Sequence, residues 1–138
     1  MTPIPSLPDA TVQEIQLELI RRSKFNSFDG KAVCDLLRTH QALWRGVIFD
    51  RPGLPNYAEP TRLLMSGLIK LRDIEDDIWN VDTLFVLTHT IDGARELATA
   101  FEESGTGAMP SVHDDRREID MALGTGRVEF GLLTVWWD

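Results

Sequence analysis

Hydrophobic positions near the start of the chain recur at helical spacing. The apolar residues of this stretch lie three or four positions apart: Val12, Ile15 and Leu19. The segment TVQE has the form of a capping box, in which Thr11 accepts from the backbone of Glu14 and Glu14 reaches back to Thr11. This pattern predicts a first helix that runs to about Arg22, after an extended proline-containing arm.

A second apolar stripe predicts a helix that begins near Ser27. Its members share one helical face: Val33, Leu36, Leu37, His40 and Trp44. Gly46–Phe49 fits either the end of this helix or a short strand. The following DRPGLPNYAEP is predicted to be a loop because it holds three prolines in eleven residues. Pro60 then suits the first turn of a third helix.

From Thr83 onwards, strand and helix patterns alternate. TLFVLT (Thr83–Thr88) is a continuous apolar run, typical of a strand covered on both faces. IDGARELATAFEES predicts a helix closed near Gly105, and MPSVH predicts an edge strand because a proline cannot donate to a ladder. DDRREIDMALG predicts a helix between Asp115 and Gly124, and RVEFGLLTVWWD a final strand.

The alternation strand, helix, strand, helix, strand predicts two right-handed crossovers and therefore a parallel sheet. We expect one α/β domain over residues 1–138, in which a mainly helical part (1–80) packs on a βαβαβ part (81–138). Its sheet is predicted to be small and mostly parallel, with three strands, or four if Gly46–Phe49 is a strand. With MPSVH at the edge and TLFVLT in the centre, the strand order is 2-1-3.

Two tryptophans close the last predicted strand. Side chains alternate between the faces of a strand, so Trp136 and Trp137 are predicted to point to opposite sides of the sheet. We expect both to close the helical layers, because large aromatic residues mostly serve cores. The alternative is an aromatic surface kept for a partner.

Charge is distributed unevenly along the chain. Residues 1–69 carry 8 basic and 7 acidic side chains, whereas residues 70–138 carry 6 and 15, so the second half contributes −9 to the net charge of −8. An acidic surface repels nucleic-acid phosphates, which argues against nucleic-acid binding. It attracts basic proteins, although surface charge also serves solubility.

The composition and the absence of certain motifs limit the cellular compartment and the kinds of binding site that we expect. A single cysteine, Cys34, excludes an internal disulfide and any multi-cysteine metal site, and it is interpreted as a buried, inert thiol. The N-terminus lacks the pattern of a signal peptide and no apolar run suits a membrane span, so we expect a cytoplasmic protein. Two GTG segments lack the third glycine of a dinucleotide fingerprint, and no P-loop motif occurs. We therefore predict no cofactor and no metal.

The acidic residues of the second half are most concentrated in the segment DIEDDIWNVD. It contains five acids and one aromatic residue, which we take as candidate partner-binding residues: Asp73, Glu75, Asp76, Asp77, Trp79 and Asp82. Glycine and glutamate are missing from the sixth and twelfth positions of a calcium loop, so an EF-hand is not favoured. The segment is either a solvated connection or an acidic patch that receives a basic partner around an aromatic anchor.

Two histidines form the alternative candidate site. His89 and His113 each follow a predicted strand and precede a helix, and in a parallel sheet both would lie at the carboxyl edge. Asp138 would end the third strand at the same edge, with Thr90, Asp92 and Asp114 nearby. Two histidines and a carboxylate can bind a metal or transfer protons, so His89, His113 and Asp114 are the candidate catalytic residues of this alternative.

Two classes of function follow. The first is a non-enzymatic, acidic, cytoplasmic interaction module (an adaptor, an inhibitor or an immunity-type protein) that binds a basic partner. The second is a small enzyme or ligand-binding protein that uses His89 and His113. The absence of a strong catalytic motif favours the first class. No pattern in the sequence indicates the oligomeric state.

Overall fold

The computed structural model describes residues 6–48 and 71–138. Within these ranges the helices are α1 (Val12–Arg21), α2 (Gly30–Thr39), α3 (Ile91–Glu102) and α4 (Arg116–Leu123). The strands are β1 (Lys24–Phe25), β2 (Phe28–Asp29), β3 (Trp44–Ile48), β4 (Thr83–Thr88), β5 (Met109–His113) and β6 (Gly131–Trp136). The predicted loop DRPGLPNYAEP and nearly all of the third helix predicted from Pro60 lie outside the described residues.

Helices with clear end signals begin and end close to the predicted residues. The capping box of Thr11 and Glu14 is present at the start of α1. Asp115 accepts from the first turn of α4, and Gly124 ends that helix in the left-handed conformation at a φ of 64°. These signals act over a few residues and depend little on the rest of the fold, which explains why they are readable in the sequence.

The second helix is shorter than its apolar stripe predicts. Asp29, rather than Ser27, accepts from the first turn of α2, and the helix ends at Thr39. Trp44 lies in β3, where its indole N–H donates to the carbonyl oxygen of Leu37 at 2.7 Å. The stretch from Gly46 to Ile48 is therefore a strand, and Phe49 lies outside the described residues.

The predicted parallel sheet is wrong. Among the described residues the main sheet has four strands in the order β3-β4-β6-β5, and every neighbouring pair is antiparallel. A small antiparallel hairpin of β1 and β2 forms the second sheet. MPSVH is an edge strand as predicted, but β6 lies between β4 and β5 in place of the predicted order 2-1-3.

The error has a physical origin. β4 and β5 do run in the same direction, since both are antiparallel to β6, but they are separated by one strand position. β6 fills this position. A continuous apolar run shows that a strand is covered on both faces, and this is as true of a central antiparallel strand as of a parallel one. Strand direction depends on pairing between distant residues.

The two faces of the sheet bury different amounts of apolar surface. The main core lies between one face and helices α1, α2 and α3, and includes Leu37, Leu97, Leu133 and Trp137. The other face carries a smaller cluster of Phe85, Ile119 and Leu132, packed under α4. β6 contributes to both clusters through alternate residues, as its predicted alternation requires. In the described ranges, no helix combines the length and apolarity required to traverse a bilayer.

Candidate functional site

The acidic segment forms a tight connection between the N-terminal helices and β4. A single 3-10 turn spans Ile74–Asp76, and Asp77 closes it in the left-handed conformation at a φ of 58°. The backbone of Trp79 then pairs with the chain just after α1: its N–H donates to the carbonyl of Arg22, and its carbonyl accepts from Lys24. The turn is therefore attached to the folded body at its C-terminal side.

A buried asparagine holds the other side of the turn. The side chain of Asn80 is fully buried, accepts from the backbone N–H of Asp73 at 2.9 Å and donates to the Asp73 carboxylate at 2.7 Å. Its amide also donates to the carbonyl of Lys24. Asn80 was not a candidate in the sequence, because an asparagine inside an acidic segment carries no signal of burial.

An ionic network joins the turn to the end of α1. Arg22 donates to the Asp77 carboxylate at 3.0 Å and to Glu18 at 2.9 Å. The hydrogen bond from Arg21 is the largest cause of a pKa of about 2 for Glu18; burial opposes it, and the hydrogen bond from Arg22 and the charges of both arginines lower the pKa further. Exposed pairs of this kind add little free energy, about 0–1 kcal/mol each, so the main effect of the network is to orient the turn.

The five acids among the candidate residues consequently divide into two groups. Asp73 and Asp77 have the partners described above, while Asp82 accepts from Asn26 and Thr83. Glu75 and Asp76 are exposed, and neither carboxylate has a hydrogen-bonding or ionic partner among the described residues. These two carboxylates are the part of the segment available to another molecule.

Trp79 is held in the fold. It is half-buried against the main core, and both of its backbone polar groups are bonded to the chain that follows α1. A residue fixed in this way is poorly placed to enter a pocket of a partner. The structure thus brings Trp79 next to the acids, as the sequence requires, but directs much of it inwards.

The histidine candidates lie at one end of the sheet without forming a cluster. His113 ends β5 and His89 follows β4, with β6 between these two strands. The register aligns His113, Leu132 and Leu87 across the three strands, so the backbones of His113 and Leu87 are about 10 Å apart at the usual strand spacing. Because β6 runs the opposite way, Asp138 lies at the other end of the sheet.

The two histidines also differ in environment. His113 is half-buried, and its Nε2 is 2.7 Å from the hydroxyl of Thr134 on β6. Burial lowers the pKa of His113, and the nearby charge of Asp114 opposes this effect. His89 is exposed, and its backbone N–H donates to the carbonyl of Leu43. His113 therefore contributes to the packing of β5 against β6, whereas the side chain of His89 lies at the surface.

Other candidate chemistry is limited in the part of the chain that the structure describes. No three His, Cys, Asp or Glu residues within it are grouped so as to hold a metal ion. Cys34 is buried, its thiol donates to the carbonyl of Leu17, and burial raises the pKa of this thiol. Such a thiol is mostly protonated at neutral pH, which agrees with the interpretation of Cys34 as inert.

The two tryptophans at the end of β6 differ in burial. Trp136 and Trp137 point to opposite faces, but only Trp137 is fully buried, while Trp136 is 42% exposed. Met109, which lies opposite Trp136 on the edge strand β5, is also 42% exposed. The prediction that both tryptophans close the core is therefore wrong for Trp136. Alternation along the strand indicates opposite faces but does not tell how well each face is covered.

Comparison of the chain with protein-family models, with curated proteins and with solved structures finds no significant match.

Proposed function

We propose that the protein is a non-enzymatic cytoplasmic interaction module, of the adaptor, inhibitor or immunity type, which binds a basic protein through its acidic connection. The observation that carries the proposal is the pair Glu75 and Asp76: two exposed carboxylates without partners among the described residues, on a turn held by Asn80 on one side and Arg22 on the other. A rigid turn loses little conformational entropy when it binds, so its charges are pre-organised for a cationic surface.

The overall charge supports the same proposal. The segment lies in the half of the chain that carries −9, and a field of one sign raises the rate at which oppositely charged proteins meet. The same field disfavours nucleic acid as the partner. The histidine alternative has weaker support, because His89 and His113 are on strands separated by β6 and Asp138 is at the opposite end of the sheet.

The test uses an oligo-arginine peptide as a defined basic probe and the full chain as the binder. Glu75→Gln together with Asp76→Asn is expected to slow association and to flatten its dependence on salt, because charges at the rim of an interface act mainly on encounter. The free energy of unfolding should change by less than about 0.5 kcal/mol, since both side chains are exposed. Stopped-flow fluorescence at two salt concentrations measures the first effect, and urea unfolding the second.

A matched control separates a site from general attraction. Glu102→Gln together with Glu103→Gln removes the same number of exposed charges at the end of α3. If both double variants slow association equally, the acidic connection has no special role and the proposal is wrong. The proposal is also wrong if neither variant changes the kinetics at low salt.

A further inference from the structure

An aromatic ring and a carboxylate hold an arginine side chain next to the acidic turn. The guanidinium carbon of Arg72 lies 5.0 Å from the centroid of the Phe25 ring, within the distance of a cation–π contact. The Nε atom of the same guanidinium is 3.5 Å from the Asp73 carboxylate. Phe25 and Asp73 therefore form a small site with the two features that arginine prefers, a planar apolar surface and a negative charge.

Phe25 and Asp73 are fixed relative to each other by Asn80. The side-chain nitrogen of Asn80 donates at 3.0 Å to the carbonyl of Lys24, the residue before Phe25 in β1, and at 2.7 Å to the Asp73 carboxylate. Asn80 is itself fully buried. One buried side chain thus joins the strand that carries the ring to the residue that carries the charge, so the site does not depend on Arg72 for its shape.

Arg72 is held less firmly than the site that it occupies. Its side chain is 67% exposed, its ion pair with Asp73 is long, and its guanidinium donates no hydrogen bond to another described residue. Arg22, by contrast, donates to Glu18 at 2.9 Å and to Asp77 at 3.0 Å. Exposed cation–π contacts and exposed ion pairs are both weak, so another arginine can replace Arg72 readily.

The site adjoins the available carboxylates of the acidic turn. Asp73 directly precedes this turn, and its carbonyl oxygen accepts from the backbone N–H of Asp76 at 3.1 Å. A hydrogen bond between residues three positions apart keeps their Cα atoms within about 7 Å of each other. Neighbouring basic side chains of one segment span this distance, so a segment that reaches Glu75 and Asp76 also reaches the Phe25 ring and Asp73.

We propose that Phe25 and Asp73 form an arginine-binding site for the basic partner, and that Arg72 occupies this site only in the free protein. The inference rests on the proposed function and adds to it the type of residue that the partner supplies. Arginine is favoured over lysine because its planar guanidinium stacks on an aromatic ring while it pairs with a carboxylate. Arg72 is then an internal competitor, and its removal should strengthen the binding of arginine.

The experiment measures the affinity of the full chain for oligo-arginine and for oligo-lysine of equal length by isothermal titration. Arg72→Ala is expected to raise the preference for oligo-arginine about two- to fivefold, the ratio that corresponds to an exposed cation–π contact. Loss of a positive charge alone strengthens the binding of both peptides and leaves their ratio unchanged. Arg95→Ala is the matched control, because Arg95 is also exposed and paired with an aspartate, Asp92, but lies on α3.

A substitution of the ring tests whether the gain depends on the site. In a Phe25→Leu background, Arg72→Ala should no longer change the ratio, since the arginine has lost its aromatic surface. The inference is overturned if Arg72→Ala leaves the ratio unchanged, or if it raises the ratio equally in both backgrounds. Should Phe25→Leu unfold, Arg72→Lys takes its place: it keeps the charge but stacks less well on the ring, and an unchanged ratio in this variant also overturns the inference.

The arginine site and the proposed function can fail separately. If the Glu75→Gln, Asp76→Asn variant associates more slowly while Arg72→Ala leaves the ratio unaltered, the arginine site is wrong and the proposed function stands. If the ratio rises in Arg72→Ala but the acidic variant associates at the original rate at low salt, the site binds arginine and the proposed role of the turn is wrong. If neither variant changes binding, both proposals fail.

Discussion

β6 contributes differently to the two faces of the main sheet: its residues on one face are fully buried, and those on the other become exposed along the strand. On the face towards α1, α2 and α3, β6 presents Leu133 and Val135, and Trp137 directly after the strand continues this row; all three are fully buried. On the face towards α4, it presents Leu132, Thr134 and Trp136, and burial declines along the strand until Trp136 is partly in water. Stability is concentrated on the first face, so residues on the second are freer to serve binding.

The largest expected effect is on the fully packed face. Trp137→Ala should destabilise the protein by about 3–5 kcal/mol, because removal of a buried aromatic ring leaves a cavity that its neighbours fill only in part. The substitution also removes the edge-to-face packing of the indole on Phe28 and Phe101. Urea unfolding measures the change, and Trp136→Ala is the control on the other face. Equal destabilisation by the two variants would contradict the proposed difference between the faces.

This difference shows what the sequence alone can and cannot predict. The capping box at Thr11 and the left-handed stop at Gly124 are local signals, and both are present. The alternation along β6 predicted the opposite orientation of Trp136 and Trp137. None of these three signals determines the direction in which β6 pairs with β4 and β5, which depends on contacts between residues far apart in the chain.

The candidate site also combines local features that the sequence shows with long-range contacts that it does not show. The concentration of acids from Asp73 to Asp82 is visible in the sequence, but the division into bonded and available carboxylates is not. It depends on Arg22, which is 55 positions away from Asp77, and on the burial of Asn80. Long-range partners of this kind leave no periodic pattern for sequence analysis to detect.

A smaller loss of stability is expected from the cluster under α4. Ile119→Ala should cost about 2 kcal/mol, at the lower end for a buried isoleucine, because the cluster has few members and a short helix can shift towards the sheet. Ile119 packs with Phe85 and Leu132 there. Hydrogen exchange should show α4 opening more readily while β4 and β6 remain protected. Uniform loss of protection across the sheet would mean that the two faces unfold as one unit.

Gly131 offers a test of close packing at the start of β6. A Cβ atom at this position would lie 2.6 Å from both the Thr88 hydroxyl and the Thr90 carbonyl oxygen, next to the start of α3. Gly131→Ala is therefore expected to destabilise the protein by about 1–3 kcal/mol through overpacking. Thermal unfolding measures the loss of stability. The control substitution is Ala122→Ser on α4. Gly105 is unsuitable for this purpose because its φ of +73° would strain any other residue.

The smallest effect concerns pH at the end of β5. Burial holds the pKa of His113 below the value of 6.5 that an unfolded chain would show, and the charge of Asp114 opposes this shift. Between the two pKa values the unfolded state binds more protons than the folded state. The contribution of His113 to stability is therefore complete above pH 6.5 and is lost as the pH falls towards the folded pKa.

Two substitutions isolate the contribution of this ring. His113→Gln keeps a polar group near the Thr134 hydroxyl, to which the ring is bonded, but it cannot titrate, so it should remove this part of the pH dependence. His89→Gln makes the same substitution at an exposed position and is the matched control. Urea midpoints from pH 7.5 to pH 5 measure the effect. An unaltered slope in His113→Gln would show that another group is responsible for the loss of stability in acid.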